Sequence, residues 1–300
     1  MEKINILDVI KRLADRETFN LREKTENEKA QKKMKEMGIS SIGNYAFEIR
    51  NLMPNVNLVG TETKGIYGKS ANAEILQNMI YFEGLTNNIK LPYISVDGVQ
   101  WCGYNMVENN DVITTKLTPH RLATSVTITR EWLNNTEQFN EAVKTLLWNA
   151  VYAKLTETMF STAAATSLSP AGLFGGVTEE TISSLEDLIN LQYDGDKNKC
   201  ENVWVISPKA KKFINSQNNG TLITNNKLFN NDIVCCGGAE DGIIGYIPLN
   251  YVAVGQWGCG SITVDAVTRA KEGEIIVYID TYWDFANLNN DFVKVGRIAD

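Results

Sequence analysis

One stretch of the sequence constrains the fold more than any other, because an alternating segment runs directly into a long amphipathic one. In HRLATSVTITREW, which begins at residue 120, every second residue from Leu122 to Ile128 faces one way, which predicts a half-buried strand. Apolar residues then recur with helical spacing at Phe139, Val143, Leu146, Leu147, Ala150, Val151, Leu155 and Met159. A helix over 136–160 would span about 36 Å at about 1.5 Å per residue.

The first 70 residues predict two helices followed by an extended arm. Ile6, Ile10 and Leu13 form the apolar stripe of a helix. The following REKTENEKAQKKMK is almost wholly polar, so we expect a helix that buries little and serves as an arm, a coiled-coil partner or a removable piece. Glycines and Pro54 predict an extended arm over 40–70, with one short helix near residues 44–50. We expect neither a targeting segment nor a membrane span.

The rest of the chain alternates helix and strand. Apolar spacing predicts helices at 72–83 and 179–193. Short apolar runs predict strands at 88–96, at 202–207 and at several places after residue 230. Residues 97–116 are polar and predict a long hairpin or loop. The chain has no repeat and no clean linker, and this mixture indicates the α+β class.

Composition leaves little room for metal or cofactor chemistry. The 300 residues include one histidine and five cysteines, and the net charge is −7. This acidic balance argues against broad nucleic-acid binding, although it permits a protein to enclose nucleic acid without gripping it. The cysteine spacing matches no zinc pattern, and the glycine runs match neither a P-loop nor a dinucleotide fingerprint. We therefore expect no metal and no cofactor.

The sharpest enzyme hypothesis is a cysteine hydrolase that uses Cys236 and His120. A nucleophilic thiol in the CCGG run at 235–238 needs a positioned base, and His120 is the one histidine available. Packing of the cysteines as small apolar residues is the better interpretation, so we expect no enzyme. Glu240 and Asp241 lie in a glycine-rich segment that predicts a solvated turn. Arg130 and Glu131 flank the strand-to-helix junction and predict structural ion pairing there, in preference to catalysis.

The polar loop at 97–116 carries unusually large side chains. Trp101, Tyr104 and Met106 are of types that are enriched at protein contacts. The residues alone leave two interpretations open: the loop packs back on its own domain, or it is a finger that contacts another subunit.

The order of these motifs resembles the major capsid proteins of tailed bacteriophages, which share the Hong Kong 97-like fold. The family pattern is a Trp-Gly loop, a Thr-Pro-x-Arg/Lys-Leu strand, an Arg/Ser-x-x-Leu junction, a long spine helix and a Pro-x-Gly-Leu/Ile turn. The residues in those places here are Trp101, Gly103, Thr118, Pro119, Arg121, Leu122, Arg130, Leu133, Pro170, Gly172 and Leu173. VWVISPKAKKFI at 203–214 is similar to the family's strand–Asn/Ser-Pro–helix, and the resemblance covers residues 70–300.

The resemblance implies an N-terminal arm, an extended loop, a peripheral domain with a long spine helix, and an axial domain. The implied ranges are a helical scaffold-like segment at 1–38, the arm at 39–70, the peripheral domain at 71–175 with the extended loop at 97–118 and the spine helix at 136–160, the axial domain at 176–261, a return to the peripheral domain at 262–285 and a C-terminal axial strand at 286–300.

The resemblance also implies a shell protein that assembles with itself into pentamers and hexamers around double-stranded DNA in the host cytoplasm. Implied partners are a portal, a scaffold and a maturation protease, and no membrane is involved. The candidate subunit-interface residues are Trp101, Tyr104, Met106, Glu108, Asp111, Arg121 and Arg130.

One departure and one alternative accompany this resemblance. Some family members cross-link neighbouring subunits through a loop lysine, but residues 97–115 contain no lysine, so we expect no such cross-links. An encapsulin-like compartment shell that loads protein cargo uses the same fold and is the alternative function.

Overall fold

The computed structural model describes residues 4–40, 42–49, 76, 78–94, 112–130, 136–217, 222–235 and 237–299. Within these residues the helices are α1 (Ile6–Asp15), α2 (Leu21–Glu36), α3 (Thr136–Met159), α4 (Leu185–Asp196) and α5 (Pro208–Ser216). The strands are β1 (Tyr45–Glu48), β2 (Ile80–Leu85), β3 (Ile89–Ile94), β4 (Val112–Leu117), β5 (His120–Thr129), β6 (Glu179–Ile182), β7 (Val203–Ile206), β8 (Ile223–Thr224), β9 (Lys227–Leu228), β10 (Asn231–Cys235), β11 (Ile243–Ile247), β12 (Val252–Trp257), β13 (Cys259–Asp265), β14 (Glu274–Asn287) and β15 (Lys294–Ile298). The predicted α+β class is confirmed.

The first sheet is built around β14. This strand pairs antiparallel with β5, from Glu274 opposite Thr129 to Trp283 opposite His120. Its other edge pairs antiparallel with β12 and β13, which follow one another along the chain. Beyond them, β1 pairs antiparallel with β13 and β2 pairs parallel with β12. The alternation predicted for the strand after Pro119 is confirmed, since every second residue of β5 from Arg121 to Thr127 is exposed.

The long helix α3 packs on one face of the first sheet. Its apolar residues Val143, Leu147, Val151 and Leu155 are buried in one core with Ile128 of β5 and with β14. Trp148 and Tyr152 stack edge-on at 4.9 Å and both contact Trp283 of β14. The helix predicted over 136–160 is therefore present, and the sheet is what it packs against.

The second sheet has the strand order β6-β15-β11-β7-β10-β9-β8. Helices α4 and α5 cover one face, where Leu188, Leu191 and Ile214 are buried with Trp204 and Tyr246 of the sheet. The opposite face, which includes Val205, Ile243 and Val295, joins the same core as α3. The two sheets thus share one continuous apolar interior.

The two N-terminal helices differ in how much surface they bury. Helix α1 lies in the main core with α3, and its residues Ile6, Leu7, Val9 and Ile10 are at most 1% exposed. The 16-residue helix α2 buries only Glu23, Ala30 and Met34, as its polar sequence predicts. Ala30 and Met34 nevertheless pack in a cluster with Trp257 and Tyr282, so the first sheet supplies the apolar surface that α2 itself lacks.

Two predicted helices meet strands in the described residues. Residues 44–50 were expected to hold a short helix, but β1 at Tyr45–Glu48 pairs there with β13. Of the helix predicted at 72–83, Leu76 is helical and residues 80–83 belong to β2, which pairs with β12; residues 72–75 and 77 lie outside the described residues. Where these strands form, a neighbouring strand pairs backbone amide and carbonyl groups along one edge, which outweighs local preference.

The division between the sheets also differs from the expected ranges. The range 176–261 was assigned to one axial domain, but β12 at Val252–Trp257 lies in the first sheet beside β14. A strand also precedes the helix expected at 179–193, since β6 pairs with β15 and α4 begins only after the cap residue Ser184. Ser207 caps α5 and Pro208 is its first residue, as that dipeptide predicts.

Candidate functional site

The tip of the extended loop lies outside the described residues. Trp101, Tyr104, Met106, Glu108 and Asp111 are among the residues on which the structure is silent, and so is Cys236. The base of the loop is described, however, and it is the two-stranded sheet formed by β3 and β4. The geometry of this base and of the adjoining strand β5 can therefore be given in detail.

An aromatic cluster anchors the β3–β4 hairpin to the body of the protein. Tyr93 of β3 lies edge-on to Tyr251 and to Phe292, with ring centroids 6.0 Å apart in each case. Tyr251 and Phe292 in turn stack edge-on at 5.3 Å. Such edge-on aromatic pairs stabilise the fold beyond what the burial of their apolar surface contributes. The hairpin thus leaves the body in a direction that side-chain packing sets.

Asp284 holds the turn between the hairpin and β5. Its carboxylate accepts hydrogen bonds from the backbone amides of Thr118, at 2.7 Å, and Phe285, at 2.9 Å. His120 Nδ1 lies 3.6 Å from the same carboxylate, just beyond hydrogen-bonding distance. Burial raises the pKa of Asp284 above its ordinary value, against the opposing effect of these amides and of His120. His120 therefore belongs to a structural junction.

Among the described residues, a small cavity of about 40 Å³ lies beside His120, lined mainly by apolar groups such as Leu122, Leu155 and Trp283. Burial raises the pKa of the Cys200 thiol, and it raises the pKa of Cys259 to about 11. Both shifts are the opposite of what a nucleophile needs. The described residues thus contain no support for the cysteine hydrolase.

The two arginines predicted as interface candidates both form ion pairs within the chain. Arg121 Nη2 lies 2.8 Å from Oδ1 of Asp280 on the neighbouring strand β14, and the arginine side chain is 58% exposed. Arg130 Nη1 lies 3.5 Å from Oδ1 of Asp15, at the end of α1. Arg130 thus forms an ion pair at the strand-to-helix junction with a partner from the N-terminal segment, whereas Glu131 lies outside the described residues.

A second charged cluster joins the end of α3 to the second sheet. Arg297 of β15 contacts Glu179 of β6 at 2.6 Å and Glu240 at 2.7 Å. Glu240 also accepts hydrogen bonds from the amide and the hydroxyl of Thr162, just beyond α3. Burial raises the pKa of Glu240, but the bonds from Thr162 and Arg297 lower it below its ordinary value on balance.

Glu240 is a structural residue that sequence reasoning missed. The glycines around it predict a solvated turn, and no local signal indicates that Thr162 and Arg297 approach from distant parts of the chain. Among the described residues, no group of three or more His, Cys, Asp or Glu side chains could hold a metal ion. In the same part of the chain, no helix has the length and apolar character to span a membrane.

Comparison with known proteins identifies the fold. No family model and no curated protein sequence matches the chain, but solved structures do. The capsid of an empty GTA particle, computed with C5 symmetry, matches with a TM-score of 0.57 and 10% identity over 79% of this chain and 94% of that one. A structure from Microbacterium phage Oxtober96 matches with a TM-score of 0.55 and 11% identity over 84% and 98%. The chain has the Hong Kong 97-like capsid fold.

A further match extends this finding. A structure from Mycobacterium phage Bobi gives a TM-score of 0.51 at 15% identity, over 84% of this chain and 97% of that chain. The charged clusters described above connect elements of this fold to one another. The fold expected from the motif order is confirmed.

Proposed function

We propose that this protein is the major capsid protein of a tailed bacteriophage, which assembles as pentamers and hexamers into an icosahedral shell around double-stranded DNA. One observation carries the proposal: nearly the whole length of a capsid subunit, 94% of it, superposes on this chain with a TM-score of 0.57. A match over 79% of this chain and 94% of the capsid subunit supports a common architecture for the whole subunit.

The proposed domain roles follow the two sheets. The first sheet with α3 is the peripheral domain, α3 is its spine helix, and the second sheet with α4 and α5 is the axial domain that meets its copies at the centre of each ring. The strand β12, at Val252–Trp257, is assigned to the peripheral domain because it pairs with β14. Residues 39–70 are the proposed arm and residues 97–118 the proposed extended loop.

The proposed mechanism is assembly through extended segments. Trp101, Tyr104 and Met106 of the loop would bury large side chains against a neighbouring subunit, with Glu108 and Asp111 beside them, because aromatic and Met anchors supply much of the free energy of such contacts. The aromatic anchor at Tyr93 supports this role, since it limits the directions in which the loop can leave the body.

Arg121 and Arg130 are proposed as residues at the edge of the same interface. Each side chain is about half exposed although it contacts an aspartate within the chain. The Arg130–Asp15 pair is exposed on both sides, and such a pair contributes little to the stability of a subunit. A neighbouring subunit could therefore compete for the Arg130 guanidinium group at little loss of subunit stability. Asp280 is buried, so the Arg121 guanidinium group would have to bind a neighbour while it stays on Asp280.

The proposed partners are further copies of the chain, a portal, a scaffold, a maturation protease and the enclosed DNA. The net charge of −7 favours a shell that encloses DNA without specific recognition. We propose a structural role and no catalytic one, and a location in the shell of the virion after assembly in the host cytoplasm.

Electron microscopy with size-exclusion chromatography tests this function. The protein should form closed shells or rings of five and six subunits, either alone or with its scaffold, and particles from infected cells should contain DNA. A chain that stays monomeric under both conditions contradicts the proposal. Shells that hold a cargo enzyme and no DNA indicate the encapsulin-like compartment instead.

Variants separate the loop contact from general surface effects. Tyr104→Ala should reduce the yield of shells while the circular dichroism spectrum of the subunit is unchanged. Tyr278→Ala is a matched control, because Tyr278 lies on β14 of the described surface and is 41% exposed. Equal assembly by wild type and Tyr104→Ala would remove the loop tip from the proposed interface.

A further inference from the structure

The described part of the N-terminal helical segment, residues 4–38, is held in the fold by three kinds of contact. The first is apolar burial. Ile6, Leu7, Val9 and Ile10 of α1 are at most 1% exposed and share a core with α3. Met34 of α2 is completely buried in the cluster that contains Trp257 and Tyr282. Tyr45 and Phe47 of β1 lie in the α1 cluster, whereas Ala46 lies in the α2 cluster, so the two helices pack on opposite sides of β1.

The second kind of contact holds the edge strand β1 to α2. Glu48 is 6% exposed and contacts Lys33 Nζ at 2.6 Å and Lys29 Nζ at 3.1 Å. The backbone amide of Ala46 donates to Oδ1 of Asn27 at 2.9 Å. The hydroxyl of Tyr45 donates to the backbone carbonyl of Glu23 at 2.9 Å. Polar groups of α2 thus bind both backbone and side-chain groups of β1, as buried polar groups require.

The third kind of contact joins the segment to itself and to the strand-to-helix junction. Arg12 of α1 lies 3.2 Å from Glu23 of α2, and Glu23 is 3% exposed. Asn20 and Glu23 form a reciprocal capping box that fixes where α2 begins. Asp15 contacts Arg130, where β5 leads towards α3. The segment therefore contacts elements that are more than 100 residues away in sequence.

We propose that residues 1–38 are a permanent part of the folded subunit. The finished shell retains these residues, and any maturation protease cleaves outside them. Removal of the segment would expose Tyr45 and Phe47 on one side of β1 and Trp257 on the other, and it would take Lys29 and Lys33 away from Glu48. The segment also fixes β1, which lies in the first part of the proposed arm at 39–70. Its role is to hold that first part of the arm in place.

A cleavable linker tests the proposal on the soluble subunit. A site-specific protease sequence is inserted after Gly38, which is exposed and lies in the turn between α2 and β1. After cleavage, the two fragments should co-elute in native size-exclusion chromatography and separate only in denaturant. Release of the N-terminal fragment from a remainder that stays soluble and folded would overturn the proposal.

A second measurement addresses the particle itself. The mass of subunits from purified shells should equal that of the full chain, and a mass that lacks the first 38 residues would overturn the proposal. The linker experiment does not depend on shell formation. A chain that keeps its fragments together but never assembles would therefore contradict the proposed function and leave the permanent segment standing.

Discussion

Replacing the two lysines that contact Glu48 should destabilise the subunit more than replacing Glu48 itself. The carboxylate is 6% exposed, whereas the Lys33 and Lys29 side chains are 35% and 49% exposed. In Glu48→Gln the lysines turn to water, so the loss is close to that of a half-exposed ion pair, about 1 kcal/mol. In Lys29→Met/Lys33→Met the charge stays buried without these partners, which costs about 3 kcal/mol.

Urea unfolding of the unassembled subunit at neutral pH, followed by circular dichroism, measures these free energies. The triple variant Lys29→Met/Lys33→Met/Glu48→Gln should recover about 2 kcal/mol relative to the double lysine variant, because it removes the buried charge. Lys154 and Glu157 on α3 are the matched control, since they lie 2.6 Å apart but are 54% and 57% exposed. Replacing either should change stability by less than about 1 kcal/mol.

Two outcomes would refute this reasoning. The double lysine variant could be as stable as Glu48→Gln, which would mean that the carboxylate does not depend on these cations. Alternatively, the triple variant could be the least stable of the set, which would mean that the side chains act through packing and not through charge.

Three further predictions concern other parts of the structure. Gly245→Ala should lose about 2 kcal/mol in urea unfolding, because its Cβ would lie 2.3 Å from the Phe174 ring, whereas Gly237→Ala, with nothing within 4 Å, should be nearly neutral. The pKa of Glu240 is lowered, so the wild-type subunit should be more stable to unfolding than Glu240→Gln above pH 4.5. This difference in stability should disappear as the pH falls below that value, and equal stability of the two proteins at neutral pH would contradict the prediction. Asp284→Ala should lose about 2 kcal/mol and speed hydrogen exchange in the β3–β4 hairpin, since two backbone amides lose a charged acceptor; unchanged exchange would argue against the anchor.

The elements with strong local signals could be predicted from the sequence. The alternation in β5 and the helical spacing in α3 are long patterns, so each identifies its element without knowledge of the neighbours. Ser207-Pro208 likewise predicts where α5 begins, because a cap acts on its own first turn. Together with the order of the motifs, these signals are enough to indicate the Hong Kong 97-like fold.

Elements that depend on a distant partner could not be predicted in this way. The short segment at 44–50 has no strong preference of its own, and it is a strand because β13 lies beside it. Glu240 has a structural role only because Thr162 and Arg297 meet it from distant parts of the chain. The interface roles of the candidate residues at the loop tip stay predictions. The positions of Arg121 and Arg130 in the fold are known, and their interface roles stay predictions as well.

The sequence by itself determined the apolar periodicity of the long elements, the helix caps and the order of the elements, and these indicate the fold class. Its composition also determined how few groups suited to catalysis the chain contains. Only the tertiary structure decided where the N-terminal segment packs. Its second helix is polar almost throughout, which predicts a detachable piece. Burial depends on the surface that a neighbour offers, and here the first sheet supplies aromatic side chains for Ala30 and Met34 and a buried carboxylate for the lysines.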